Sequence, residues 1–577
     1  MAVVAFNQSM QMLNPTALRS MILVECGSVW TRAMLLGMAE GHSRLLSIAT
    51  TPTTAVAPFV DISLGAKQAI QQIEALTGRH LFAQGQLLTP ETESGDGVDG
   101  LGIVTNVGGP LQILAVGPGL VAAAPQLQRA IATVSVEVRT LNADTPLFQV
   151  AETAGQRTPH AIIIFGTGTD EARNTNIRQA LEESTRASLA ITGPLGRNPT
   201  LLCIGGYDEL TIVRQAANGR DVLYVEPNSK QTNSLTATLT QLYEQLVLDA
   251  IPGFQQLRAL ATIPPISSTA GLGRAIRFFA QRYSTNATIV NVGATNTLLL
   301  NASAQGSLYT IQSPLQGTRQ GAGSVLRKAG VQNILRWIPF PMSEFDLKNA
   351  ILQRMLTPRC LPELPIDLAI DQALARESIR LTAVQDNRNN LAQYDVIIGT
   401  GGTISQAPQL AQSAFMLLDS LQPVGVSNLI IDSAEMLTML GGASLLDRIA
   451  AADTVDIDAL QIQLGTCISS VGVPPPGQPA MRVILEYADG RQHTTEVLYG
   501  TIELLPLGLG QRARLLIYPS PGVDIGLGPG QSAQGGEQIE GGRLGVIVDA
   551  RGRPLVLPSE SDQRIAILRQ WYGALGL

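Results

Sequence analysis

At 577 residues, 45% hydrophobic, 15% charged and 4% aromatic, the chain is too long for one core and has the make-up of a globular protein of roughly two to four domains. Its net charge of −7 carries no basic cluster, which argues against a nucleic-acid-binding surface. Cys26, Cys203, Cys360 and Cys467 lack C-x-x-C spacing and His42, His80, His160 and His493 lack H-x-x-x-H spacing, so neither a disulfide framework nor a zinc site is expected.

The first twenty residues have no basic start followed by a long apolar run, and no stretch reaches about eighteen uninterrupted apolar residues. The expectation is a cytoplasmic protein that is not integral to a membrane. After this leader (1–20), MILVECGSVWTRAMLLGM (21–38) reads as strand, Gly-Ser turn and strand. ISLGAKQAIQQIEALTGR (62–79) has helical spacing closed by Gly78. GLGIVTNVGGPLQILAVG (100–117) again reads as strand, Gly-Gly turn and strand. From Pro159 strands alternate with helices, as in HAIIIFGTGTDEARNTNIRQALEES, which implies an inserted parallel α/β segment at about 159–250. In its Gly166-Thr167-Gly168-Thr169-Asp170 run, Asp170 reads as the start of a helix.

The opening pattern then returns. TIVNVGATNTLLLNA (288–302) is a second hairpin, and YDVIIGTGGTISQAPQLAQSAFMLL (394–418) is a buried strand, a Gly-rich turn and a helix. Two copies of a meander-plus-helices unit are an internal duplication. From about 470 the chain alternates apolar and polar residues, with ADG as a hairpin turn and a terminal helix at SDQRIAILRQWYGAL. Arg551 and Arg553 fall in what reads as a solvated hairpin tip.

Paired glycine turns of this kind have a physical use: their backbone N–H groups meet the phosphates of a nucleotide, and a Gly-rich turn before a helix lets the backbone approach the adenosine. Acids at the start of each hairpin hold Mg²⁺ through water and position the attacking water. The order of ECGSVWTRAML, TTPTTAVAPFVDISLGAKQAIQQIEALTGR, TNVGGPLQILAVG, IIIFGTGTDE, NVGATNT, AGVQNILRWIP, LTPRCLPELPIDLAIDQALARES and IIGTGGTISQAP resembles the glutamate mutase accessory MutL family, within the actin, Hsp70 and sugar-kinase ATPase superfamily. The likeness covers about residues 20–450.

The resemblance implies a duplicated actin-like (ribonuclease H-like) ATPase fold: a first lobe at 21–285 with the α/β insertion, a second lobe at 286–465, and a C-terminal β-rich domain at 470–577. It implies ATP and Mg²⁺ without a metal cluster, and a chaperone-like or scaffold role on a protein partner such as a cobalamin-dependent mutase or an assembly complex, with homo-oligomers among the arrangements. By position, Glu25 is the catalytic and metal-facing acid. Gly27, Ser28, Thr31, Arg32, Gly293, Ala294 and Thr295 hold phosphate, and Gly399, Gly401, Gly402 and Thr403 face adenosine.

The departures matter as much. The second hairpin carries Asn291 where the family has its metal-holding acid, and Leu298 where it has a further Asp; Arg32 stands for a Lys. An amide brings no negative charge to Mg²⁺, so hydrolysis is expected to be severely weakened or absent while the glycine turns still bind nucleotide. The alternative is a pseudo-ATPase, with nucleotide structural or absent, that serves as a scaffold or filament subunit. A sugar kinase needs a catalytic Asp at a substrate cleft, and none stands out.

Overall fold

The computed structural model describes residues 18–141, 158–168, 175–226, 233–385, 393–457, 461–472, 475–533 and 538–577. Most of the expected leader, and Thr169-Asp170, lie outside these. The chain forms two compact units, one from residues up to 107 with 251–275 and 436–461, the other from 108–250, 276–435 and 462–577.

The first unit is built on β1 (Ser20–Cys26), β2 (Trp30–Ala39) and β3 (His42–Pro52), then a short pair β4 (Phe82–Ala83) and β5 (Gln86–Leu87), then β6 (Gly100–Thr105). β1 and β2, and β2 and β3, run antiparallel, whereas β6 joins β1 in parallel. Five strands inserted after β6 belong to the second unit: β7 (Leu111–Val116), β8 (Val136–Thr140), β9 (Ala161–Phe165), β10 (Thr200–Ile204) and β11 (Val222–Val225). The chain returns with β12 (Ile266–Ser267), parallel to β6, so the sheet order is β12-β6-β1-β2-β3.

The helix Ile62–Thr77 covers one face with Ile62, Ala66, Ala69, Ile70 and Ile73. It forms where expected: Asp61 accepts from the Ser63 N–H at its start, and Gly78, at φ 73°, stops it. Leu23 looks to the other face, where the helix Leu437–Ala443 lies so close that Gly442 has no room for a Cβ beside Val104. That helix crosses the helix Ser268–Arg282 at backbone distance, because a Cβ on Gly441 would stand 1.9 Å from the Gly271 oxygen.

The second unit repeats the plan. β13 (Ala287–Val292), β14 (Thr297–Ala302) and β15 (Leu308–Ser313) form an antiparallel meander, and β16 (Val396–Thr400) and β17 (Gly425–Asp432) extend it in parallel, giving β15-β14-β13-β16-β17. Read by role, both units have the order third, second, first, fourth, fifth with the same strand senses. This is the duplicated ribonuclease H-like plan of actin-like proteins, as expected.

Three boundaries differ from the sequence reading. The insertion begins at 108, not 159: the Gly108-Gly109 turn, at φ 91° and 77°, leads from one sheet into another instead of closing a hairpin. The insertion is an all-parallel sheet of order β11-β10-β9-β7-β8 that is tied to β15 through Gln312, whose Nε2 donates to the Val134 oxygen at 2.7 Å. Residues 436–461, expected in the second lobe, return to the first unit.

The third difference is at the C-terminus. That stretch is β-rich and ends in the helix Ser561–Ala574, yet it is not set apart at 470. β18 (Gln461–Ser469) extends the second unit's sheet beyond β17. β19 (Pro479–Tyr487), β20 (Gln492–Leu498), β22 (Arg512–Pro519) and β23 (Ile539–Glu540) form a separate four-stranded sheet, with the ADG turn between β19 and β20 as expected. β21 (Ile502–Leu505) and β24 (Gly545–Asp549) return to the large sheet, giving it eight strands. Trp571 and Leu568 of the terminal helix join the core that contains Phe415 and Ile547.

Arg551 and Arg553 are not solvated. Each is 5% exposed, and both donate to Asp549, Arg551 at 2.8 Å and Arg553 at 2.6 Å. Arg551 also reaches Asp419, which accepts from Arg376 at 2.8 Å, so three chain segments meet on one buried charge network.

The four cysteines are free thiols, and Cys360 alone among them is exposed. Burial pushes Cys26, Cys203 and Cys467 up to about 12, with the charges of Glu25, Glu209 and Asp549 adding to the respective rises. A thiolate-selective reagent at about pH 8 is therefore expected to modify one thiol in the native chain and four after denaturation, counted by absorbance or mass. No helix among the described residues is long and apolar enough to cross a membrane.

Candidate nucleotide-binding hairpins

The two hairpins expected to hold phosphate have the same backbone geometry. In the first, Cys26 pairs with Thr31 and the Gly27 N–H donates to the Trp30 oxygen at 2.9 Å. In the second, Val292 pairs with Thr297 and the Gly293 N–H donates to the Asn296 oxygen, also at 2.9 Å. Gly27 is required for this closure, because a Cβ there would stand 2.6 Å from the Trp30 oxygen. Segments of the same unit brace each turn. The Thr53 N–H donates to the Val29 oxygen, while the N–H groups of Thr318, Arg319 and Gly321 donate to the oxygens of Gly293 and Ala294.

Superposing the two registers pairs Glu25 with Asn291 and Arg32 with Leu298. Glu25 and Arg32 face each other across β1 and β2, with Arg32 Nη1 3.9 Å from Glu25 Oε2. Asn291 and Leu298 face each other across β13 and β14 with no charge on either. Thr31 and Thr297 are also equivalent, and both turn inward. A Cβ on Gly65 would stand 3.2 Å from Thr31 Oγ1, and Thr297 Oγ1 donates to the Gln316 oxygen at 2.8 Å. Thr31 thus belongs to the sheet–helix contact beneath the turn.

The Gly-rich turn after β16 divides by role. Gly399 is a packing glycine, since a Cβ would meet Ile404 at 2.8 Å and Ile431 at 3.0 Å. Gly401, at φ 92°, lets the turn lie against β13, where a Cβ would stand 2.3 Å from the Val292 oxygen. Gly402 is exposed, and its nearest neighbour, Glu435 Oε1, lies 3.8 Å from the Cβ position, which leaves room for a ligand. Thr403 Oγ1 is 3.1 Å from Thr318 Oγ1 and so ties this turn to the brace of the second hairpin.

Three further polar residues end parallel strands at the same sheet edges, the usual place for ligands in such sheets. In the first unit, Asn106 follows β6 and Ser268 follows β12; Asn106 Oδ1 and Ser268 Oγ are buried without a hydrogen-bond partner. In the second unit, Asp432 ends β17 and accepts from Thr400 Oγ1 at 2.9 Å. Thr400 pairs with Asn291, so the backbone of Asp432 lies two strands, about 10 Å, from that of Asn291, while its carboxylate reaches the strand between them. Among the described residues, no group of three or more His, Cys, Asp or Glu side chains is placed to hold a metal ion.

Comparison with known families gives a match to the MutL protein family. Residues 221–458 carry it. The MutL match spans the end of the insertion, β12 through β17, both crossing helices, the second hairpin and the Gly-rich turn. No curated protein sequence matches the chain. Among solved structures, nucleotide-free acetone carboxylase is similar at 10% identity and TM-score 0.33, over 83% of this chain and 81% of that one. Component A of (R)-2-hydroxyglutaryl-CoA dehydratase from Acidaminococcus fermentans is similar at 9% identity and TM-score 0.29, over 75% and 99%. Nucleotide-free diol dehydratase-reactivating factor is similar at 11% identity and TM-score 0.30, over 74% and 100%.

Proposed function

We propose that this chain is a cytoplasmic MutL-type accessory protein that binds ATP through its two glycine hairpins, hydrolyses it poorly or not at all, and acts on a protein partner such as a cobalamin-dependent mutase. The observation that carries this reading is the contrast between two hairpins of one geometry, in which Glu25 and Arg32 of the first are matched by Asn291 and Leu298 of the second. The common closure supports retention of the phosphate cradle. Asn106 and Ser268 add buried oxygens that lack protein partners at the edge of the first sheet, fitting a polar ligand or ordered water there. The metal side fits less well, because Glu25 is the one carboxylate in the two hairpins and Arg32 stands beside it.

When bound, Mg²⁺ would supply charge neutralisation at the phosphates. Glu25 would orient water toward it, and the backbone of Gly27, Ser28, Gly293, Ala294 and Thr295 would bind and orient the phosphates. Gly402 would admit the adenosine. A scaffold without nucleotide is the second reading, and the uncharged Asn291–Leu298 pair favours it.

Calorimetric titration with ATP and Mg²⁺ tests the proposal, with Asn291→Asp alongside. Micromolar binding by the native chain is expected, with hydrolysis at least about tenfold faster in the variant. Absence of binding by both would sink the nucleotide reading and leave the scaffold.

A further inference from the structure

The helix Pro365–Ala383 is buried along most of its length, so the polar side chains it carries inward must find partners within the protein. Two of them, about two turns apart on one face, reach the segment that braces the second hairpin. Ser378 Oγ donates to the Gln316 oxygen at 3.0 Å, at one end of that segment. Asp371, 3% exposed, accepts from Arg319 Nη2 at 2.7 Å at the other end. Arg319 Nη1 also donates to the Thr318 oxygen at 3.1 Å, so one guanidinium ties the brace backbone to the helix. Arg354, from the helix Glu344–Leu356, donates to the second oxygen of Asp371 at 2.6 Å.

The brace lies where it sets the direction of the turn's amides. A trans peptide is planar, so its C=O and N–H point opposite ways. The Thr318 N–H holds the Gly293 oxygen at 3.1 Å, and the N–H groups of Arg319 and Gly321 hold the Ala294 oxygen, each at 3.0 Å. The Ala294 and Thr295 N–H groups belong to those two peptides and are thereby turned away from the brace. Successive amides turned one way make a concave anion site. The contact leaves the turn little room to swing: a Cβ on Gly317 would stand 2.5 Å from the Gly293 oxygen, and one on Gly321 2.7 Å from the Thr295 oxygen. In the first hairpin the Thr53 N–H grips the oxygen of Val29, the equivalent of Thr295, so the two turns are held at different peptides.

We propose that Arg319 is a positioning residue for phosphate, and that its ion pair with Asp371 sets the amides of the second turn toward the nucleotide. The guanidinium acts through the brace backbone and not by touching the phosphate, since its two terminal nitrogens are turned to Asp371 and to the Thr318 oxygen. The ligand is that of the nucleotide reading, on which this inference rests, whereas the ordering of the turn can be measured without it.

Two substitutions change the charge in opposite directions and are expected to give the same result. Arg319→Met leaves Asp371 bonded to Arg354, and Asp371→Asn leaves both arginines charged. Each is expected to weaken ATP binding by the full chain about tenfold in calorimetry, while the affinity for adenosine stays within about twofold. Arg319→Lys should fall between Arg319→Met and the native chain. A guanidinium released from its carboxylate and touching phosphate would instead bind ATP more tightly. Tighter or unchanged ATP binding in Asp371→Asn, or equal losses for ATP and adenosine, would therefore overturn the proposal. Hydrogen exchange without nucleotide is the second readout: amides of 317–322 are expected to exchange about tenfold faster in Arg319→Met, with those of the first hairpin (26–31) unchanged. Unchanged exchange at 317–322 also overturns the proposal. Faster exchange there in a chain that binds no ATP leaves the ordering of the turn standing and removes the nucleotide reading.

Discussion

Asp549→Ala is expected to destabilise the second unit by about 3–5 kcal/mol. The carboxylate accepts from Arg551 and Arg553, and its removal leaves two guanidiniums in the core with Asp419, already bonded to Arg376, as the remaining carboxylate of the network. Arg551 also lies beside the rings of Phe415 and Trp571, 5.2 and 4.8 Å from their centres, so it has no route to water without opening the core. Urea denaturation followed by tryptophan fluorescence would read this directly, because Trp337 and Trp571 both belong to that core. A loss below about 1 kcal/mol would mean that water reaches the network.

The same group sets an acid limit. Burial alone would raise the Asp549 carboxyl, but the Arg551 and Arg553 guanidiniums overcome it and hold it well below its ordinary value of 3.8. A carboxyl depressed by folding contributes in full above that ordinary value, and its contribution fades as pH falls below it. The difference between wild type and Asp549→Ala should therefore be constant near neutrality and shrink below about pH 4.

Gly441→Ala should reverse the usual sign of a helix substitution. In an unconstrained helix interior, alanine in place of glycine gains about 1 kcal/mol. Here the new methyl would stand 1.9 Å from the Gly271 oxygen, and the crossing is equally tight from the other side, where a Cβ on Gly271 would stand 2.4 Å from the Thr438 oxygen. The helices must move apart, which loosens the contact of Gly442 with Val104 and costs about 3 kcal/mol. Gly573→Ala, in the terminal helix with nothing within 4 Å, is the matched control and should be neutral or stabilising. If both substitutions proved neutral in thermal denaturation, the crossing would not be close-packed.

What the sequence discloses is what neighbouring residues decide. The hairpins at Gly27 and Gly293, the helix stopped by Gly78 and the buried strand before Gly401 are legible because turn chemistry and periodicity are local. The insertion boundary stays hidden because strand, Gly-Gly and strand reads alike whether the second strand folds back or joins another sheet. The return of 436–461 to the first unit leaves no local trace. Arg551 reads as solvated because its partner Asp419 lies 132 residues away. Asp432 and Asn106 do carry a signal, a polar residue at the end of a largely apolar parallel strand, which gains meaning once strand order is known, whereas Ser268 follows the two-residue β12 and carries none.

The interleaving of the two units fixes when each can finish folding during synthesis. The first unit needs residues 436–461, and the eight-stranded sheet of the second needs β24 and the helix that begins at Ser561. A nascent chain of about 400 residues therefore holds the first meander with the helix Ile62–Thr77 on one face but without 436–461, and the second without β17, β18, β21 and β24, although the all-parallel sheet of the insertion is already present in full. That sheet is positioned to fold first on the ribosome, and the unfinished lobes around it would be substrates for chaperones until the last strands emerge.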